Sequence, residues 1–149
     1  MLDEIRERLA TKTIGQLVEP IGTLAPSVQE LILKLTNSLA QHSDDIRYKI
    51  ANLTILPHII PLLVNDVESL QDATAACVAF LTNTDPTGKN RSELCEYSGL
   101  QNLIKALGTE QLPVKENVLI SLKNFVEWSG KPAVPVFYNR LISKQRTTL

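Results

Sequence analysis

Apolar residues recur along the chain at intervals of three and four. Leu100, Leu103, Ile104 and Leu107 fall on one face of a helix. So do Val114, Val118, Leu119, Leu122, Phe125 and Val126. Alternation of period two is absent over any useful length, so the pattern predicts an all-α fold. The helical runs are broken by turn chemistry at Ala25-Pro26-Ser27, His42-Ser43-Asp44-Asp45, Asp85-Pro86-Thr87-Gly88 and Ser129-Gly130-Lys131-Pro132. Ser27, Asp44 and Asn90 read as N-caps, because their side-chain oxygens can accept from the free N–H groups of a first turn.

The pattern repeats. Shifted back by 44 residues, Leu100, Leu103, Ile104 and Leu107 fall on Leu56, Ile59, Ile60 and Leu63. Val114, Val118, Leu122 and Phe125 fall on Leu70, Thr74, Val78 and Leu81. A further shift of 42 gives Ile14, Leu17, Val18 and Ile21, then Val28, Ile32, Thr36 and Leu39. Only Thr36 and Thr74 are not fully apolar. Leu94 and Cys95 match Ile50 and Ala51, which adds a short first helix to the second and third copies. The first copy has Arg8 and Leu9 there, so its first helix is degenerate, as suits a terminal copy whose outer face meets water. One short and two longer helices cannot bury their apolar faces alone, and stacking on neighbours supplies the core. Each fully buried Leu or Ile contributes about 1.5–3 kcal/mol. The expected boundaries are residues 4–43, 44–88 and 89–130, with 131–149 as a cap. In that cap Val134, Phe137 and Leu141 would close the open end. Trp128, at the junction, reads as a packing residue beneath the cap or as an exposed contact anchor.

The stretch from Asn90 to Val126 resembles one unit of the armadillo repeat, a three-helix repeat of about 42 residues. Asn90 and Leu94 match the first helix, and Gly99 the sharp turn. Leu100, Leu103, Ile104, Lys105 and Leu107 match the second helix. Val114, Val118, Leu122, Asn124 and Phe125 match the third. A near-right-angle turn favours a residue without Cβ. In the second copy Ile55 stands at that place, so Pro57 must set the turn from a helix N1-like position. Pro61 and Pro20 depart further, and each predicts a second helix that kinks or begins late.

The resemblance implies an α-solenoid of about three units, wound as a right-handed superhelix and capped by a C-terminal helix. It also implies a non-enzymatic binding module, an adaptor or scaffold holding a partner segment on the concave third-helix surface. Nuclear-import adaptors of the family carry a Trp-and-Asn ladder along the third helices. Here the Trp places hold Lys34, Ala76 and Ile120, and the Asn places hold Ser38, Phe80 and Asn124. One rung survives, which argues against the classical nuclear signal as ligand. The candidate partner-binding residues are Lys34, Ser38, Asp72, Ala76, Phe80, Ile120, Asn124 and Glu127. Phe80 is an aromatic anchor if it faces the groove and a core residue if a local shift tucks it in. Armadillo-like proteins that exchange nucleotide on the seventy-kilodalton heat-shock chaperones use a similar stack, so a co-chaperone is an alternative. A structural or assembly subunit is another, since the repeat ends offer a route to self-association.

Composition narrows the partners. At 149 residues, 44% apolar and net charge −1, the chain is one ordinary globular domain with no basic excess that points to nucleic acid. Between Ile50 and Gly88 there are four acids (Asp66, Glu68, Asp72, Asp85) and no Lys or Arg. From Lys131 to Leu149 there are four bases and no acid. These read as solvated faces, or as an acidic middle that attracts a basic partner. MLDEIRERLA has no apolar core of a signal peptide. The apolar run from Ile55 to Val64 is too short for a bilayer, so no membrane is expected. Cys77 and Cys95 read as small core hydrophobes in a reducing compartment, cytoplasmic or nuclear. His42 and His58 have no Cys or carboxylate at metal-ligand spacing, so neither metal nor cofactor is expected. "TDPTGKN" lacks the first Gly and the final Ser/Thr of a phosphate loop and reads as a linker. Asn52-Leu53-Thr54 matches a glycosylation pattern inside a predicted helix. No enzyme is expected.

Overall fold

The computed structural model describes residues 1–129, and every regular element in them is helical. In chain order these are α1 (Leu2–Arg8), α2 (Ile14–Val18), α3 (Pro26–His42), α4 (Asp44–Ala51) and α5 (Leu56–Ile59). Then come α6 (Glu68–Asn83), α7 (Lys89–Glu96), α8 (Gly99–Ala106) and α9 (Leu112–Ser129). The expected cap at 131–149, with Val134, Phe137 and Leu141, lies outside the described residues. The long helices pack in sequence order, α3 against α6 and α6 against α9. The short helices pack behind them, α2 on α3, α8 on α9, and α7 on α8.

The first helix, expected to be degenerate, buries none of its own residues. A π-helical turn at Leu9–Thr13 joins α1 to α2, with Arg8, Leu9, Thr13 and Ile14 all right-handed. One helix therefore runs without a turn from residue 2 to residue 18. The prolines act as their chemistry requires. After α2 the chain passes Pro20 into a 3-10 turn, Ile21–Thr23. After α5 comes a 3-10 segment, Ile60–Val64, with Pro61 in its first turn. Pro lacks the N–H that an α-helix needs there. Pro57 sits in the first turn of α5, where that N–H has no helical acceptor anyway.

The caps fall beside the expected residues. Ala25 precedes α3 with Pro26 at its start, rather than Ser27. Ser43 caps α4 by accepting from Ile46 N at 3.2 Å, which leaves Asp44 and Asp45 in the first turn facing the positive end of the helix. Asn90 lies inside α7, and Asp85 caps that helix instead. Cys77 is fully buried, and burial pushes its thiol pKa up. Cys95 is only half-buried, so it is not the core counterpart of Ala51.

Several polar groups among the packed helices pair along a regular scheme. Thr36 and Thr74, the two polar residues at apolar places, donate their hydroxyls to Ile32 O and Leu70 O at 2.8 and 2.7 Å. That back-bond satisfies the hydroxyl and leaves the methyl to pack. Gln29 donates to Ile21 O and Gln71 to Leu63 O, both at 2.8 Å. The second bond reproduces the first 42 residues along the chain. Each glutamine supplies a donor to a carbonyl of the preceding 3-10 segment. Asparagines bridge between segments. Asn37 donates to Ala73 O at 3.1 Å, Asn90 to Ala51 O at 2.9 Å, and Asn102 to Ile60 O at 3.2 Å.

Candidate functional site

The middle long helix, α6, is covered on both flanks and behind. Between residues 70 and 82 every side chain is buried except Asp72, Ala76 and Phe80. Their spacing of four keeps them in one strip, and this strip is the accessible face of α6. Phe80 divides its surface. One side packs against the core and the other stays reachable, so the two expectations for this residue are both partly met.

The neighbouring helices carry the other candidates. On α3, Lys34 and Ser38 are exposed one turn apart, and Lys34 lies 3.8 Å from Glu30. On α9, Ile120 is 39% exposed and Glu127 faces solvent, 3.6 Å from Lys123. Asn124 does not belong with them. It is 8% exposed, and its amide donates to Thr82 Oγ1 at 3.2 Å and towards Ala79 O at 3.5 Å. The donor that a ladder asparagine would offer to a peptide is already engaged by α6. Asn124 and Glu127 meet in a recess of about 210 Å³, lined also by Thr82, Asn83, Arg91 and Trp128. Asn83, Arg91 and Trp128 are additions to the sequence-based set. Asn83 was within reach of the pattern, being three residues beyond Phe80 on the same helix.

Arg91 also joins that recess to a polar knot between α6 and α7. Asp85 is 4% exposed and accepts from Asn90 N and Arg91 N, each at 3.0 Å, and from Arg91 Nε at 3.1 Å. The Arg91 guanidinium lies 5.3 Å from the centre of the Trp128 ring, within cation–π range. Trp128 is 7% exposed and tilts against Phe125 with ring centres 5.9 Å apart, so it packs at this junction. Gly88 passes beneath it with φ +74°, and a Cβ there would meet Trp128 Nε1 at 2.6 Å.

Glu93, one turn along α7, is the least comfortable charge. Its side chain is 13% exposed, Lys89 Nζ approaches only to 4.0 Å, and Oε2 is buried without a hydrogen-bond partner among the described residues. Burial raises its pKa first, the Lys89 charge opposes this, and Asp85 and Glu96 add to the rise. A folded pKa above the unfolded value means that proton uptake favours the folded state. The group thus contributes stability below its ordinary value of 4.5 and loses that contribution as pH rises through the shifted value. Glu93→Gln should raise the melting temperature at neutral pH, and the gain should fade in acid. Thermal melts of both proteins across that pH range check the sign, and a gain that grows in acid would refute it.

Among the described residues no three His, Cys, Asp or Glu side chains gather to hold a metal ion, and no helix is long and apolar enough to cross a membrane. No protein-family model matches the chain, and no curated protein or solved structure matches it either.

Proposed function

We infer that the chain is an armadillo-like α-solenoid of three units, at residues 4–43, 44–88 and 89–130, that binds a segment of another protein. The 42- and 44-residue register, the ordered packing of α3, α6 and α9, and the recurring glutamine bond support the solenoid reading. The observation that carries the binding reading is the Asp72–Ala76–Phe80 strip, the accessible face of an otherwise covered helix. Lys34 and Ser38 extend it on one side, Ile120 and Glu127 on the other. An apolar centre with acids beside it suits an apolar anchor next to a basic side chain. Desolvated aromatic contacts carry most of the affinity in such interfaces, and flanking charges set the approach.

The test uses the partner recovered by the full chain from native extract. Phe80→Ala and Asp72→Lys should each weaken that complex by about tenfold or more. Gln16→Ala, on an exposed position of α2, should leave it unchanged. Circular dichroism on each variant separates lost binding from lost fold. Undiminished affinity in both strip variants would remove the assignment.

A further inference from the structure

The flank of α3 turned away from α6 carries Val28, Leu31 and Leu35, which are 43%, 65% and 37% exposed. The same stations on α6, 42 residues on, are Leu70, Ala73 and Cys77, at 0%, 6% and 0%. Those are covered because α3 lies against them, as the bond from Asn37 to Ala73 O records. On α9, 44 residues further, Val114 and Ser121 occupy two of these stations at 0%, beneath α6. So α3 shows to solvent the flank that α6 and α9 keep covered by the long helix before them.

The opposite flank shows the converse. Leu119 on α9 is 55% exposed and Ile104 on α8 is 62%. Their counterparts 44 residues earlier are Ala75 and Ile60, at 0% and 1%, and those 42 residues before them are Leu33 and Val18, both at 0%. Among the described residues one end of the stack thus has no helix covering its outer flank, and neither has the other. Each exposed leucine stands where the interior of the stack buries an apolar residue.

We propose that a second copy of this chain fills both vacancies, its α8–α9 flank docking on the Val28–Leu31–Leu35 flank. The contact continues the α3–α6 and α6–α9 packing across a molecular boundary. A second copy suits both ends, because it presents at Leu119 the station that Leu33 and Ala75 present inside the stack, whereas the cap expected at 131–149 would serve the α8–α9 end alone. The two flanks differ, so the contact is heterologous and extends as a linear array rather than closing as a pair. This rests on the repeat register of the solenoid reading and not on the Asp72–Ala76–Phe80 strip, whose affinity measurement is a separate readout.

Sedimentation velocity of the full chain over a wide concentration series tests it. The wild-type mass should rise with concentration past that of a dimer. Leu31→Glu and Leu119→Glu should each abolish the rise, because each spoils one flank. Mixed in equal amounts they should form dimers and nothing larger, since each variant keeps the flank the other has lost. A wild type that stays monomeric throughout overturns the proposal. A Leu119→Glu protein that still associates also overturns it, as does a mixture that stays monomeric. Both leucines are exposed, and Leu31→Ser with Leu119→Ser replaces the charged pair if either loses helicity.

Discussion

Asp85→Ala should lower the free energy of unfolding by about 3–5 kcal/mol. The carboxylate does three jobs at one point in the chain. It accepts from the backbone N–H groups of Asn90 and Arg91, which opens α7 with two donors satisfied. It neutralises the Arg91 side chain, which is 13% exposed beneath Trp128. It also fixes the linker between α6 and α7, where Gly88 must pass under the indole. Alanine leaves a largely buried guanidinium without its counter-ion and two first-turn amides without an acceptor. Asp85→Asn keeps one acceptor and should fall between wild type and alanine. Urea titration measures both. A loss below about 1 kcal/mol would place the pair with ordinary exposed ion pairs instead.

Gly99→Ala should cost about 1–3 kcal/mol, the usual range for forcing volume into a packed site. A Cβ at Gly99 would lie 2.6 Å from Leu94 Cδ2, 2.8 Å from Leu94 O and 2.9 Å from Leu94 Cα. The first of these can move, but the other two are backbone. The left-handed residue at this turn is Ser98, with φ 61°, so close approach and not backbone freedom is what requires glycine at 99. Gly22→Ala is the control, since nothing lies within 4 Å of its added Cβ. The same titration should show Gly22→Ala near wild type. Equal losses at the two sites would refute the steric account.

Gly99 was legible in the sequence because a sharp helix–helix turn has few solutions. Its counterpart Ile55 was legible as a departure, and the structure supplies the reason: α4 ends at Ala51, and the chain takes residues 52–55 to reach α5, against only Tyr97 and Ser98 between α7 and α8. A wider turn leaves room for a buried isoleucine. The prolines and the apolar register were legible for the same reason, since each acts through its own chain neighbours. Contacts between distant residues left less trace. Asn124 reads as a surface amide in any helix pattern, and only packing reveals Thr82 beside it. Ser27, Asp44 and Asn90 all look like caps. Which residue caps depends on the backbone path, and beside Pro26, Ser43 and Asp85 each helix starts one or two positions earlier than those caps imply. The accessible strip on α6 was found because Asp72, Ala76 and Phe80 follow a helical spacing. Arg91 was missed because it joins the recess from another helix.

The asparagine bonds divide the stack unevenly. Asn90, Asn102 and Asn124 tie each helix of the last proposed unit to the middle one, and Lys89 adds a bond to Asn52 O at 3.0 Å. Between the first and middle units run the Asn37 bond and the pair of Lys49 with Glu7 at 3.0 Å, the latter exposed. In a stack whose members touch only their neighbours, the strength of each joint sets how far cooperativity reaches. We expect the proposed middle and last units to melt as one block, with the first a weaker partner to it. Asp85 sits inside the block. Its removal should do more than shift the titration: it should weaken the joint between the middle and last units, so the transition of that block broadens and its denaturant slope falls.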